Sequence, residues 1–222
     1  SSRRRHTRYG TVTGVQTCAL PIFRRLANEQ APLFAENWHT DWSFQEHPPA
    51  GTCLYGITIP PKGGDTLFAN QHLALEEMPS EMRDKLEGKL AIHSAQLAYA
   101  PEGSYGEADK AGDRSMDIRP SEEAKATQLH PIIRAHPETG RLGVFGTFGY
   151  IIGIEGMEAE ESWPLLMELQ QWQGKEEFQY RHKWQKNSLV MWDNRSVLHA
   201  ATGGYEGHDR LLHRTTIGAS IS

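Results

Sequence analysis

The pattern of apolar and polar positions along the chain predicts mostly β-strands. Residues 51–60, GTCLYGITIP, alternate between the two kinds and are rich in β-branched side chains, as in a strand with one buried face. Similar runs occur at residues 178–184 (FQYRHKW), 188–194 (SLVMWDN) and 210–219 (RLLHRTTIGA). Residues 131–146 consist of two short runs around a Pro-Glu-Thr-Gly turn, which predicts a hairpin. Strands therefore dominate the predicted fold.

Helical periodicity is confined to two stretches, so the predicted helices are few and peripheral. Residues 70–90 have an apolar stripe that Pro79 interrupts, and Ser80 is then the expected N-cap of a second helix. Residues 158–173, EAEESWPLLMELQQWQ, predict an amphipathic helix with Pro164 in its first turns, where proline is tolerated. A chain of 222 residues with this pattern fits a single, mainly β domain with a real core.

A long segment, residues 94–128, has no clear period and is rich in glycine, alanine and charged residues. Loops of this length inside a compact domain are usually functional or mobile. We therefore predict that this segment is a lid over an active site.

The first 22 residues need separate treatment. They are rich in arginine, contain no acidic residue and lack the long apolar core of a secretory signal. Residues 12–22, VTGVQTCALPI, resemble the translation of a common sequencing-adapter oligonucleotide. We therefore expect residues 1–22 to be a non-native leader, and residues 23–222 to be one domain that is truncated at its N-terminus.

Composition and charge exclude several classes of partner. Charged residues make up 23% of the chain, and no apolar run is long enough to span a bilayer. The net charge of −5 argues against nucleic acid or an anionic membrane as a partner, whereas local cations could still bind a small anionic substrate.

With Cys18 in the leader, Cys53 has no disulfide partner, which indicates the cytoplasm, and its strand-like context predicts a buried thiol. The sequence does not determine the oligomeric state and is compatible with a homo-oligomer.

The first candidates for chemistry are His39 and Asp41, in NWHTDWSF. In a strand both side chains would point to one face, so that an imidazole and a carboxylate could share a divalent ion. By itself the motif is more often a hydrogen-bonded polar pair. A third ligand would come from His199, in WDNRSVLHAATGG, or from His208 or His213. Two histidines and one carboxylate on a β scaffold form the facial triad of non-haem Fe(II) oxygenases, although zinc accepts the same ligands.

Downstream, Arg210, Leu212 and Arg214 share one face of a predicted strand. A guanidinium binds a carboxylate or sulfonate through two parallel hydrogen bonds. Two arginines that face the interior are costly to bury unless they bind anionic ligands. Arginines on a half-exposed strand would instead lie at the surface and bind no ligand. Both interpretations are open at this point.

Together these motifs resemble those of the taurine dioxygenase (TauD/TfdA-type) family of Fe(II)/2-oxoglutarate-dependent dioxygenases. The resemblance extends from about Asn37 to Ile217 and rests on five motifs in the family's order: NWHTDWSFQEHPPAGTCLY, PPKGGDTLFAN, HPIIRAHPETGR, SLVMWDNRSVLHAA and RLLHRTTIGA. It implies a double-stranded β-helix, which is a jelly-roll, cupin-like barrel. It also implies hydroxylation of a small anionic sulfonate or carboxylate with O2, giving succinate and CO2. The chain departs from the family in the Gly-rich residues 142–156 and in the region before Asn37, which supplies early substrate contacts in the family.

The resemblance also implies roles for particular residues. His39, Asp41 and His199 would bind Fe(II). Arg210, eleven residues after His199, would bind the distal carboxylate of the cosubstrate 2-oxoglutarate, assisted by the hydroxyl of Thr66. The carboxylate of Asp41 favours hydroxylation, because halogenating relatives lack it.

On the substrate side, Arg214 would face the anionic group, and Phe44 and Tyr99 would form aromatic walls of the pocket. Trp42 is compatible with either a structural or a pocket-lining position. Structural or exposed positions are expected for the other tryptophans and histidines that we considered: Trp172, Trp184, Trp192, His93, His130, His136 and His182.

Two alternatives to a dioxygenase remain. The first is a catalytically inactive or truncated jelly-roll binding domain. Such a domain would not need both an open metal site and an arginine that binds an anion. The second is a zinc-dependent cupin-type enzyme, which leaves Arg210 and its spacing from His199 unexplained.

Overall fold

Antiparallel β-strands form most of the computed structural model, which describes residues 22–110 and 112–218. The strands are β1 (Ile22–Arg25), β2 (Gly51–Thr58), β3 (Thr66–Asn70), β4 (Leu90–Ser94), β5 (Thr127–Pro131), β6 (Ile133–Ala135), β7 (Leu142–Val144), β8 (Ile151–Ile154), β9 (Gln179–His182), β10 (Leu189–Asp193), β11 (Val197–Ala201) and β12 (Arg210–Ile217). The predicted strands and the β6–β7 hairpin are therefore confirmed. The predicted leader lies outside the described residues except for Ile22, the first residue of β1.

The helices are short apart from the last one. They are α1 (Gln71–Glu76), α2 (Ser80–Leu86), α3 (Gln96–Tyr99), α4 (Glu107–Lys110) and α5 (Ala159–Gln173), with 3₁₀ turns at Glu122–Lys125 and Glu176–Phe178. Pro164 lies inside α5, near its start, as predicted. Among the described residues, no helix has both the length and the apolar character needed to cross a bilayer.

Two sheets pack face to face and enclose the main β core. The first has the strand order β1-β12-β2-β10 and the second β11-β3-β9, with antiparallel pairing throughout. Leu54, Trp192 and Leu212 from the first sheet meet Phe68 from the second in one buried cluster, which Trp184 completes. Apolar side chains enclosed between two sheets are the mark of a β-sandwich. The predicted fold class, mainly β with peripheral helices, is confirmed.

The alternation along β2 decides which of its side chains reach this core. Thr52 and Leu54 are buried, whereas Tyr55 is exposed. Cys53 is only partly buried, so the prediction of a buried thiol was wrong. The reason is the two-residue period of a strand, because burying Thr52 and Leu54 turns the side chain between them to the outer face.

The helices pack around a second core outside the sandwich. Leu75 of α1, Leu86 of α2 and Leu166 of α5 lie in one buried cluster against the sheet β5-β4-β8. The N-cap of α2 is Pro79 and not Ser80, so the predicted cap was wrong by one residue. Pro79 has the extended ψ of 136° that a cap position requires, while Ser80 is already the first helical residue.

Residues 94–128 are not the featureless loop that their pattern suggests, because they contain α3, α4 and the first 3₁₀ turn. Each of these elements is four residues long, which is too short to produce a visible helical period in the sequence. Tyr99 and Ala124 anchor the segment in a buried cluster with Phe44 and Tyr150. The segment is therefore packed onto the domain and carries its own local structure.

Candidate active site

A single backbone bridge brings His39 and His199 together, although they are 160 residues apart in the chain. The amide of His39 donates to the carbonyl of His199 at 3.0 Å, and the amide of His199 donates back at 2.8 Å. Because β11 also pairs with β3, this bridge attaches His39 to the edge of the second sheet. The two imidazole ring centroids are 4.1 Å apart as a result.

Asp41 reaches the same place from a turn. Residues 41–44 form this turn, in which Trp42 has a φ of 52°. The prediction that His39 and Asp41 share a strand face was therefore wrong in its geometry. Oδ1 of Asp41 nevertheless lies 3.9 Å from Nε2 of His39 and 3.8 Å from Nε2 of His199.

The three side chains form a cluster that suits a divalent metal ion. One potential ligand atom from each lies within 4.8 Å of the other two. No other group of three or more His, Cys, Asp or Glu side chains meets this criterion in the part of the chain that the structure describes, and neither His208 nor His213 joins this one. Two imidazole nitrogens and a carboxylate oxygen are ligands that Fe(II) and Zn(II) both accept.

Neighbouring groups orient two of the three side chains. Nδ1–H of His39 donates to the carbonyl of Asn37 at 2.8 Å, which leaves the Nε2 lone pair free on the side of Asp41. Oδ2 of Asp41 accepts a hydrogen bond from the Thr52 hydroxyl at 2.5 Å, so that Oδ1 is the oxygen that faces the two Nε2 atoms. Hydrogen bonds of this kind orient metal ligands in metalloproteins. Nδ1 of His199 is buried without a partner among the described residues.

Burial and charge hold the cluster in the protonation states that a metal requires. Burial lowers the pKa of His39, and burial together with the neighbouring His39 lowers the pKa of His199 to about 3. Burial alone would raise the pKa of Asp41, but Arg214 and the two histidines outweigh it and hold this pKa at about 2. Neutral imidazoles beside an ionised carboxylate are the metal-binding forms of these side chains. The residues therefore fit a divalent metal ion.

Arg214 pairs with the carboxylate of the cluster. Its Nη1 lies 3.2 Å from Oδ1 of Asp41. Its guanidinium carbon is 5.0 Å from the ring centroid of Phe23 and 4.9 Å from that of Trp42. Aromatic faces attract a cation placed in this way. The sequence pattern did not predict this ion pair, and the role of Arg214 toward a substrate anion stays a prediction.

Arg210 and Thr66 line the same cavity as the cluster and are 9% and 3% exposed. Among the described residues no acidic side chain forms an ion pair with the Arg210 guanidinium, and its buried Nε has no hydrogen-bond partner. Burial lowers the pKa of Arg210, and Tyr205 and Asp65 offset this only in part. A buried cation without a counterion is costly, so this end of the cavity is suited to an anionic ligand.

The cavity has a volume of about 310 Å³ and a wall rich in aromatic side chains. The Phe, Tyr and Trp residues that line it are Phe23, Phe34, Trp38, Trp42, Tyr99, Tyr105, Phe148, Tyr150, Trp192 and Tyr205. Most of them come from loops or short elements, where no hydrophobic period marks them in the sequence. Burial raises the pKa of Tyr99 to about 12, so its phenol stays protonated.

Phe44 is not among the lining residues, so the structure does not place it where the prediction of an aromatic wall requires. The turn at residues 41–44 carries its ring away from the cavity into the buried cluster that anchors residues 94–128. Its centroid lies 5.0 Å from that of Tyr150. Tyr150 lines the cavity, so Phe44 supports the wall from behind.

The four histidines for which structural or exposed positions were expected have structural contacts, and two of the three such tryptophans lie outside the cavity wall. The contacts of the histidines are His93 with Ser43, His130 with the Gln45 carbonyl, His136 with Asp193, and His182 with the ring of Trp184. Trp172 and Trp184 do not line the cavity. Trp192 belongs to the core but also lines the cavity, with its centroid 4.6 Å from that of His199.

The predicted lid contributes part of the cavity wall. Tyr105, Arg114 and Met116 line the cavity. The buried carboxylate of Glu29, in the segment after β1, accepts hydrogen bonds from the amide of Ser115 at 3.0 Å and from its hydroxyl. The cavity is therefore covered where these two segments meet.

We expect 2-oxoglutarate together with Mn(II) to slow tryptic cleavage after Arg114. This side chain is held by Asp109 through hydrogen bonds of 2.7 and 3.0 Å, so the protease reaches it only when the segment opens. Glu29→Gln, which weakens the contact with Ser115, should speed the same cleavage severalfold. Mass spectrometry of timed digests measures both rates, and cleavage after Arg83 in α2 is the internal control. Equal rates after Arg114 with and without the ligands would contradict the lid.

The β-sandwich and the buried His-Asp-His cluster in its cavity define a class: jelly-roll proteins that carry the side chains of a facial triad. Comparison with known proteins narrows this class. The model of the family "Taurine catabolism dioxygenase TauD, TfdA family" matches residues 2–216, and the chain belongs to this family. The match begins inside the segment that the sequence pattern assigned to a leader.

Named relatives and solved structures agree with this membership. The alkylsulfatase of Acinetobacter baylyi is 31% identical over 189 residues, which are 85% of this chain and 58% of the relative. The alpha-ketoglutarate-dependent 2,4-dichlorophenoxyacetate dioxygenase of Cupriavidus pinatubonensis is 34% identical over 181 residues, covering 80% of this chain and 58% of the relative. The crystal structure of a taurine dioxygenase from Burkholderia xenovorans has a TM-score of 0.69 at 29% identity, covering 90% of this chain and 62% of that one. The jelly-roll prediction is confirmed, and the chain spans less than two thirds of the length of each of these proteins.

Proposed function

We propose that the protein is an Fe(II)- and 2-oxoglutarate-dependent dioxygenase that hydroxylates a small anionic organic substrate. One observation carries this proposal: the cluster of His39, Asp41 and His199 lines the same cavity as Arg210, whose buried Nε has no partner among the described residues. A metal site alone needs no buried cation, and an anion site alone needs no open cluster of ligands. A dicarboxylate that is chelated at one end and paired with arginine at the other end needs both.

The chain's own residues would supply position and charge for this reaction. His39, Asp41 and His199 would hold Fe(II), which with 2-oxoglutarate and O2 supplies the oxidising chemistry and leaves succinate and CO2. Arg210 and Thr66 would hold the distal carboxylate of 2-oxoglutarate. The aromatic wall would exclude water from the substrate C–H bond that is oxidised.

We further infer that the substrate is an anion with an apolar body, received by Arg214. Glu29 and Asp41 are the acidic side chains that line the cavity in the described part of the chain. Asp41 pairs with Arg214, and Glu29 is occupied by Ser115 and Arg25, so neither is free to pair with an ammonium group. The rest of the wall is largely aromatic, which suits an aryl or alkyl group.

We expect phenoxyacetate to bind at least about tenfold more tightly than taurine to the protein with Mn(II) and 2-oxoglutarate in the absence of oxygen. The phenyl group gains from burial against the aromatic wall, whereas the ammonium group of taurine loses hydration without finding a carboxylate. Isothermal titration calorimetry measures both affinities. Ethanesulfonate, which is taurine without the amine, is the control and should bind more tightly than taurine. Taurine binding that equals or exceeds that of phenoxyacetate would rule out the apolar-bodied substrate.

The activity itself is tested by the absorption band of an Fe(II)–2-oxoglutarate complex. The band should appear when both are added without oxygen, and succinate should form when oxygen and an anionic substrate follow. A folded protein without the band would refute the dioxygenase. A band without succinate from any sulfonate or carboxylate would favour the inactive binding domain. A zinc-dependent enzyme would give neither signal, and it leaves the buried Arg210 without a role.

We also propose a cytoplasmic location. Cys53 is a free cysteine, and no other cysteine lies within residues 22–110 or 112–218. Proteins of oxidising compartments are commonly stabilised by disulfides, whereas cytoplasmic thiols stay reduced. A single half-buried thiol is therefore typical of a protein that functions in the cytoplasm.

A further inference from the structure

Trp184 lies behind the cavity wall and donates one hydrogen bond to it. Its Nε1–H donates to Oγ1 of Thr66 at 3.0 Å, and both side chains are buried. Thr66 lines the cavity, whereas Trp184 does not. The hydrogen bond to Thr66 is therefore a direct link between Trp184 and the wall of the cavity.

This hydrogen bond determines what the Thr66 hydroxyl can do. An indole N–H is only a donor, whereas a hydroxyl has one proton and two acceptor lone pairs. Because the Thr66 oxygen accepts from Trp184, its own proton remains available, and no acceptor among the described residues takes it. Arg210, which lines the same cavity, is also only a donor. The free proton and the guanidinium thus make this end of the cavity a site for an acceptor ligand.

The packing around Trp184 keeps its indole in place. The ring lies in the buried cluster with Leu54 and Phe68, and the ring of His182 packs edge-on against it at a centroid distance of 4.8 Å. The donor is therefore fixed before any ligand binds, and Thr66, being β-branched, has few rotamers of its own.

We propose that Trp184 is a positioning residue that holds the Thr66 hydroxyl as a hydrogen-bond donor to a carboxylate bound at Arg210. The inference rests on the proposed function, since that carboxylate is the distal one of 2-oxoglutarate. Without the indole N–H, the Thr66 hydroxyl loses the donor that fixes its orientation and is free to rotate. The indole thereby favours the one rotamer that binds the anion.

The test compares two 2-oxo acids, one with and one without a distal carboxylate. Trp184→Phe should weaken 2-oxoglutarate binding about tenfold, the effect of one hydrogen bond to a charged group, and leave pyruvate binding unchanged. Thr66→Val should have the same effect on 2-oxoglutarate. The double variant should be no weaker than either single one, because both remove the same interaction. Calorimetry with Mn(II) under nitrogen gives all the affinities without turnover.

Two controls separate positioning from packing. Trp172→Phe removes another tryptophan, whose N–H donates to the Ala74 carbonyl at 2.7 Å away from the cavity, and should leave both affinities unchanged. Benzothienylalanine at position 184 keeps the shape of the indole and replaces N–H by sulfur, so it reproduces the loss even if the phenylalanine variant does not fold.

Three results would overturn the role of Trp184: unchanged 2-oxoglutarate binding in both position-184 variants, an equal loss for pyruvate, or multiplied losses in the double variant. If the unaltered protein with Mn(II) binds pyruvate and 2-oxoglutarate equally, or binds neither, the proposed function itself fails and the role of Trp184 fails with it.

Discussion

Replacing His199 by alanine is expected to abolish the Fe(II)–2-oxoglutarate absorption band and to lower turnover by more than about 100-fold. Loss of a residue that merely orients a metal ligand already reduces metal affinity or activity 10–100-fold, and His199 is itself a proposed ligand. No other side chain in the described part of the chain completes the cluster with His39 and Asp41. The remaining two groups would hold the metal too weakly to retain the cosubstrate.

Calorimetry with Mn(II) and anaerobic absorption spectra measure the two effects of His199→Ala. His136→Ala is the matched control, because His136 is also a buried histidine whose Nε2 lies 3.0 Å from a carboxylate, that of Asp193. It lies outside the cavity, so its loss should affect stability and leave the band intact. A full band in folded His199→Ala would show that the metal is held elsewhere.

Arg210→Met is expected to weaken 2-oxoglutarate binding more than about 100-fold while raising the free energy of unfolding of the ligand-free protein by about 1–2 kcal/mol. The first effect follows from losing a charged, two-pronged contact with the distal carboxylate. The second follows from removing a guanidinium that is buried without an acidic partner among the described residues, since an apolar side chain of similar length costs less to bury. A variant that is more stable than the original protein but binds its ligand less tightly is typical of a functional site whose residues are costly to bury.

Urea denaturation without ligand and calorimetry with 2-oxoglutarate measure these two quantities for Arg210→Met. The control is Arg195→Met, because Arg195 lies 2.6 Å from Asp193 and 3.0 Å from Glu138. Losing a satisfied arginine should lower stability and leave 2-oxoglutarate binding unchanged. A less stable Arg210→Met protein would mean that this guanidinium already has enough partners without an anion.

The local pattern predicted much of the fold correctly. The alternating runs became β2, β9, β10 and β12, and the Pro-Glu-Thr-Gly turn became the β6–β7 hairpin. The errors concern short elements, a helix end and the face of one strand residue. They are the four-residue helices within residues 94–128, the one-residue shift of the α2 cap and the outward face of Cys53.

The sequence also supplied candidate site residues, whereas it did not predict their geometry. His39, Asp41, His199, Arg210 and Thr66 were selected from the motifs and their order, and their roles stay predictions. The ion pair of Arg214 with Asp41 was not predicted, because the two residues are 173 positions apart and no short motif joins them. The bond from Trp184 to Thr66 spans 118 positions and was missed for the same reason.

The sequence by itself determined which residue types are available for the chemistry and where most strands lie, since residue type and alternation are local properties. Only the tertiary structure decided which of them meet. His39 reaches His199 through a backbone bridge at the edge of the second sheet, and Asp41 joins them through a turn and not a strand. Such contacts depend on how two sheets close on each other, and the free energy for that closure comes from a core assembled from residues distant in the chain.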